Sequence, residues 1–139
     1  MTDPALVAKK LALVETCLSE LRRLARPEAL SVDIRERRFV EHTLQIAIQA
    51  ALDVASHIVS DRRLGEPRTN RELFDLLQQD GWLNEELAST LRNMAGFRNV
   101  LVHGYDDVDL EVVTDILSHH LGDLDAFVAA VRRRLHDAP

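Results

Sequence analysis

Cysteine is almost absent from this chain. Cys17 stands alone, so no disulfide can close within the chain and no multi-cysteine zinc site can form. A reducing compartment suits such a chain, and the cytoplasm is the expected location. Long apolar runs are missing too: no window approaches about eighteen uninterrupted apolar residues, the length a membrane-spanning helix requires. The opening MTDPALVAKK has no cationic start followed by an apolar stretch, so neither a signal peptide nor a membrane span is expected. An excess of positive charge is lacking as well. Seventeen basic residues face twenty-three acidic ones, a formal net charge of -6, so no whole-molecule field draws the protein to nucleic acid or to an anionic membrane. Any phosphate binding must be local. Only two of the basic residues are lysines; a biased genome composition explains that as well as a phosphate-binding role does.

What is present is a soluble globular composition, 46% hydrophobic and 29% charged over 139 residues. A chain of that size buries about 68–70% of its unfolded surface, and a single domain over residues 1–139 is expected. Apolar spacing is helical throughout. Asp3 or Thr2 can cap a first helix carrying Val7, Leu11, Val14, Leu18 and Leu21 at intervals of four and three. Pro27 ends it. A second helix, from about Asp33 to Ser60, turns Phe39, Leu44, Ala47, Ala51, Val54, Ala55, Ile58 and Val59 inward. After a polar loop broken by Gly65 and Pro67, Thr69 and Glu72 form a capping-box pattern for a short helix that stops at Asp80-Gly81. A fourth helix starts at Asn84, and Asp109 can cap a last one running from Leu110 through Val113, Leu117, Leu121, Leu124, Val128 and Val131 to Leu135. The expected architecture is an all-α antiparallel bundle of four long helices plus one short helix.

The segment FRNVLVHGYDDVD, Phe97 to Asp109, concentrates Arg98, His103 and the only tyrosine, Tyr105, within eight residues. On a regular helix a five-residue separation places Arg98 and His103 about 140° apart. Gly104 directly follows the apolar run and suits a helix end, where the chain can turn and re-aim His103 and Tyr105. Imidazole exchanges protons near neutral pH, and a guanidinium steadies a phosphate whose charge grows in a transition state. Phosphodiester cleavage uses both groups.

Arg98, four residues, His103, one residue, Tyr105 is the R-x4-H-x-Y pattern of the HEPN superfamily, and the chain resembles its HepT-like ribonuclease toxins. The likeness extends to the long helix with RRFVEHTLQIAIQAALDVASHIV, to the block EELASTLRNMAGFRNVLVHGYDDVD and to the closing helix, covering Met1 to Leu135. The resemblance implies a HEPN-like helical bundle that forms a homodimer or higher oligomer, with Arg98 and His103 of both protomers beside a shared cleft. It implies metal-independent cleavage of an RNA substrate without a cofactor. In such proteins the 2'-hydroxyl of the RNA attacks the adjacent phosphate and leaves a cyclic phosphate. Carried over, His103 is the general acid/base and Arg98 the phosphate clamp, with Asn99 as a supporting polar residue. The family pairs its toxins with a small nucleotidyltransferase antitoxin of the MNT type, which attaches AMP to the motif tyrosine. Here that residue is Tyr105.

Other readings of the same residues stand beside this one. A histidine at a helix end can cap carbonyls and meet the helix dipole, and Arg98 can pair with Asp106 or Asp107. The alternative function is a non-catalytic HEPN module that binds a nucleotide or a partner nucleotidyltransferase, using Arg98 only to hold phosphate. Glu41, Gln45, Gln49, Asp53 and His57 recur every fourth residue along the second helix. A solvated face explains them; in a dimer, part of the stripe would line the cleft, with Asp53 the candidate for a supporting role. Ala47, Ala50, Ala51 and Ala55 are more small apolar residues than one short bundle readily buries, which points to a second copy. His119 and His120 are adjacent and point in different directions, so no joint metal site is expected.

Overall fold

The computed structural model describes residues 2–103 and 108–137. Six α-helices occur among them: α1 (Pro4–Leu24), α2 (Ile34–Asp61), α3 (Asn70–Gln79), α4 (Glu85–His103), α5 (Leu110–His119) and α6 (Leu121–Asp137). A single 3-10 turn, Pro27–Ala29, joins α1 to α2. Among the described residues there is no strand.

Local chemistry accounts for the helix starts. The Asp3 carboxylate accepts from the amides of Ala5 and Leu6, that of Asp33 from Arg35, and that of Asp109 from Glu111. Thr69 Oγ accepts from Glu72, and Asn84 Oδ1 accepts from Leu87 at 2.8 Å. Each satisfies a first-turn amide that has no partner within the helix.

α2 is the central rod. Twelve of its residues are buried, among them Val40, Leu44, Ala47, Ile48, Ala51, Val54, Ala55 and Ile58. α1 lies antiparallel beside it: the Thr2 hydroxyl donates to Asp61 at 2.6 Å and the Asp3 amide to His57 Nε2 at 3.0 Å, which ties the start of α1 to the end of α2. α3 and α4 form a hairpin clasped by Arg92 and Asp75 at 2.8 Å. α6 closes the bundle against α1, where Arg132 grips Glu15 through two hydrogen bonds of 2.6 and 2.9 Å. Phe127 of α6 meets Phe74 of α3 edge-on at 5.9 Å in the core.

Two expectations change. The single closing helix is two: His120 leaves the helical conformation at φ -124, ψ -1. Its ring lies between Asp123 (Nδ1, 2.8 Å) and Asp115 (Nε2, 3.1 Å), which fixes the break. The alanines of α2 do not argue for a second copy. Ala47, Ala50, Ala51 and Ala55 are all at most 2% exposed within one chain, where small side chains let the neighbouring helices approach the rod closely.

Candidate active site

α4 carries the motif. Arg98 is half-buried and His103, the last helical residue, is exposed. α4 is an unbroken α-helix through both positions, so the separation of about 140° holds up to His103. Gly104 and Tyr105, where the turn and the modified tyrosine were expected, lie outside the described residues together with Asp106 and Asp107.

Arg98 is held by little. Its Nη1 donates to the side-chain oxygen of neighbouring Asn99 at 3.2 Å, and its Nε is buried without an acceptor among the described residues. An arginine packed into a helix interface ordinarily meets a carboxylate. Four others here do: Arg22 with Asp125, Arg92 with Asp75, Arg132 with Glu15 and Arg134 with Asp80. The Arg98 fork is left with donors for an external anion.

α2 runs antiparallel to α4, so its N-terminal half meets the end of α4 that bears the motif. Together they enclose a groove of about 580 Å³, lined by residues of α2 from Ile34 to Gln45 and by Leu101 of α4. Burial pushes the Glu41 carboxyl above its ordinary range, while nearby Arg37 and Arg38 pull it back.

The polar stripe of α2 is one series but not one face. A four-residue step advances about 400°, so the stripe precesses by about 40° per step. All five members are half-buried. Glu41 and Gln45 line the groove, whereas His57 accepts from Asp3 of α1. Asp53 pairs with Lys10 of α1 at 3.1 Å and accepts from Gln49 at 2.8 Å. It lies about 12 Å beyond Gln45 along the helix, at 1.5 Å per residue.

The sequence reading did not single out Arg37, Arg38 and His42 beside the motif helix. Their run, RERRFVEH, was visible; the antiparallel packing that brings this end of α2 to Leu101 was not. Among the described residues no group of three or more His, Cys, Asp or Glu side chains is placed to hold a metal ion. His120 is engaged by its two aspartates, chiefly through the hydrogen bond with Asp123, which raises its pKa.

Comparison with known proteins places the chain in a family. The profile of the family described as ribonuclease HepT-like matches residues 14–131. The chain is 28% identical over 128 residues to the mRNA nuclease HepT of Shewanella oneidensis, covering 91% of this chain and 96% of that protein. It is 31% identical over 138 residues to the tRNA nuclease HepT of Aphanizomenon flos-aquae, covering 96% and 92%. Among solved structures, a toxin–antitoxin assembly with AMP-PNP superposes with a TM-score of 0.88 at 27% identity, covering 93% of this chain and 98% of that one. The tri-AMPylated Shewanella oneidensis HEPN toxin in complex with its MNT antitoxin gives 0.86 at 28% identity, covering 96% and 99%. The matched span includes both the α2 groove and the Arg98–His103 segment of α4, and this chain belongs to the ribonuclease HepT-like family.

Proposed function

We propose that the chain is a metal-independent endoribonuclease, the toxin of a pair whose other member is a small MNT-type nucleotidyltransferase. The RNA 2'-oxygen attacks the adjacent phosphorus, giving up its proton, while the bond from phosphorus to the 5'-oxygen breaks and that oxygen takes a proton. The products are a 2',3'-cyclic phosphate and a free 5'-hydroxyl. His103 moves the protons, exposed as it is at the end of α4. Arg98 holds the phosphate, with Asn99 orienting its guanidinium through the bond at 3.2 Å. Asp53 supports from a distance, bracing α1 on α2 through Lys10.

The observation that carries the reading is the state of Arg98, half-buried, with no carboxylate partner among the described residues and with an orphaned Nε. Because Arg98 and His103 diverge by about 140° on one helix, a homodimer that sets two α4 ends beside a common cleft completes the constellation. Silencing follows if the antitoxin attaches AMP to Tyr105, since a phosphate two residues from His103 competes with RNA for Arg98 and repels the incoming backbone.

The test is cleavage of single-stranded RNA by the purified protein in the presence of a chelator. Wild type is expected to cut and leave cyclic phosphate ends, and Arg98→Ala or His103→Ala to lose activity by about 10²–10⁴. Full activity in either variant refutes the roles, and a strict metal requirement refutes the mechanism. Co-expression with the adjacent nucleotidyltransferase, followed by intact-mass analysis, is expected to show an AMP adduct that Tyr105→Phe abolishes. Silencing without a mass change in wild type would mean inhibition by binding alone. A wild type that binds nucleotide but cuts no RNA would identify a non-catalytic HEPN module.

A further inference from the structure

We propose that the groove between the N-terminal half of α2 and the end of α4 is a second RNA-backbone site, in which Arg37 and Arg38 hold phosphates flanking the one carried by Arg98. The inference rests on the reading of the chain as a ribonuclease and adds where the strand runs.

Geometry comes first. Leu101 forms the α4 side of the groove, and it stands three residues from Arg98, so the two share a side of α4 within about 60° and about 4.5 Å of rise. Arg98 therefore stands next to the groove along α4, although it does not itself line it. On its α2 side lie half-buried Arg37, exposed Arg38 and exposed His42.

The two arginines act on Glu41 by charge but, among the described residues, are bonded to no side chain. Among the described residues neither Arg37 nor Arg38 forms an ion pair or a hydrogen bond with another side chain, and Arg37 Nε is buried with no acceptor. The same atom of Arg98 is in the same condition. Arg37 and Arg38 thus present guanidinium donors to the groove, with Arg98 less than one turn from Leu101 along α4, an arrangement that a polyanion completes. The acidic neighbours do not cancel it. Glu36 accepts from the Arg26 amide at 2.7 Å. Among the described residues Glu41 is the one carboxylate lining the groove, set against the two guanidiniums of Arg37 and Arg38. In a chain of net charge -6 this is the local cationic site that RNA binding requires.

Phe39 also lines the groove and is half-buried. An aromatic ring between basic side chains is how single strands are commonly held, with bases on the ring and phosphates on the cations. Gln45 supplies a neutral amide at the far end. A single-stranded segment is the occupant that uses all of these groups.

Binding is to be measured with a fully 2'-O-methylated RNA oligonucleotide, which cannot undergo 2'-hydroxyl attack, so the result does not depend on catalysis. For single strands the slope of log affinity against log salt changes by about 0.7 for each phosphate contact. The double variant Arg37→Gln/Arg38→Gln is expected to make the slope shallower by about 1.4 and to weaken binding roughly tenfold or more. The Lys versions are expected to recover most of the slope. Arg133→Gln, which removes an exposed charge on α6, should leave the slope unchanged. Circular dichroism and sedimentation of the double variant should match wild type. An unaltered slope in the double variant, an equal change in Arg133→Gln, or no binding by wild type would overturn the proposal. So would retained RNA affinity with lost dimerisation or lost capture of the nucleotidyltransferase, which would give the groove to a protein partner. A wild type that binds through these arginines yet cuts no natural RNA sustains the groove and sinks the nuclease reading; a wild type that cuts with an unaltered slope in the double variant does the reverse.

Discussion

Arg98 and Arg134 make opposite predictions, because among the described residues one guanidinium bonds only its neighbour Asn99 and the other is fully employed. Arg134 donates to the Asp80 carbonyl at 2.8 Å and to its carboxylate at 3.4 Å, and it stacks over the buried Trp82 ring at 4.6 Å. The carbonyl bond contributes about 1 kcal/mol and the stacking about 0.5–1 kcal/mol; the carboxylate contact, long and 36% exposed at both ends, adds little. Arg134→Ala is therefore expected to destabilise by about 1.5–2 kcal/mol, roughly 5–10 °C in Tm for a chain of this length. Its cleavage rate per folded molecule should stay within about twofold, since it touches nothing at the end of α4. Arg98→Ala removes one bond to its immediate neighbour Asn99 and also removes a buried unsatisfied Nε. Its Tm should stay within about 2 °C of wild type, because those two effects oppose one another. Its rate should nevertheless fall by about 10²–10³, the loss ordinarily seen when a positioned transition-state donor is deleted. Calorimetry and an RNA cleavage assay on the same preparations decide the matter. If Arg98→Ala destabilises as much as Arg134→Ala, its activity loss becomes a folding effect and the assignment of a phosphate clamp fails.

Three further outcomes are expected. Phe127→Ala empties a site of 0% exposure packed edge-on against Phe74, and urea unfolding should show a loss of about 3–5 kcal/mol; a loss below about 1 kcal/mol would mean that the α3–α6 contact does not organise the core. His120 has its pKa raised above 6.5, chiefly by the hydrogen bond with Asp123 and also by the charge of Asp115. Its contribution to stability is thus fully present below about pH 6.5 and is lost as the pH rises through the higher folded value. The stability gap between wild type and His120→Gln should shrink from pH 6 to pH 8, and a gap that is constant or widens would refute the bridging role. Asp53→Asn should lower stability by less than about 1 kcal/mol, since its partner Lys10 and Asp53 itself are 33% and 38% exposed. A drop in cleavage rate beyond about tenfold would show that Asp53 reaches the reaction directly.

Much of the architecture could be read from spacing because burial in this chain follows helical period closely. Val7, Leu11, Val14, Leu18 and Leu21 repeat at four and three, and all five are buried; the caps at Asp3, Thr69 and Asp109 are side chains that hydrogen-bond within their own first turns. Such signals are local. The break at His120 carries no such signal, because the apolar series runs through it from Leu117 to Leu121 to Leu124, and neither proline nor a positive-φ glycine marks the spot. Two aspartates, three residues after and five before His120, hold the ring across the break, a pairing that hydrophobic periodicity does not display. Trp82 gave no periodic cue either, lying in the turn between α3 and α4, yet it is 4% exposed and stacked by Arg62 and Arg134.

The site shows the same division more sharply. R-x4-H-x-Y pointed to Arg98 and His103 by type and order, but the chain has fifteen arginines, and type does not say which of them are free to bind. Ion pairing sorts them. Arg22, Arg92, Arg132 and Arg134 lie opposite carboxylates on other elements, partners 17 to 117 residues away that no helical window of sequence displays. Arg37 and Arg98 come from different helices and keep a buried nitrogen without an acceptor. Desolvating a donor without a partner opposes folding, and the fold does this at Arg37, which lines the groove, and at Arg98, three residues before Leu101 of its α4 wall. The arginines left over by the internal pairing are then the ones to test first for RNA, and the antiparallel course of α2 and α4 sets them on one path.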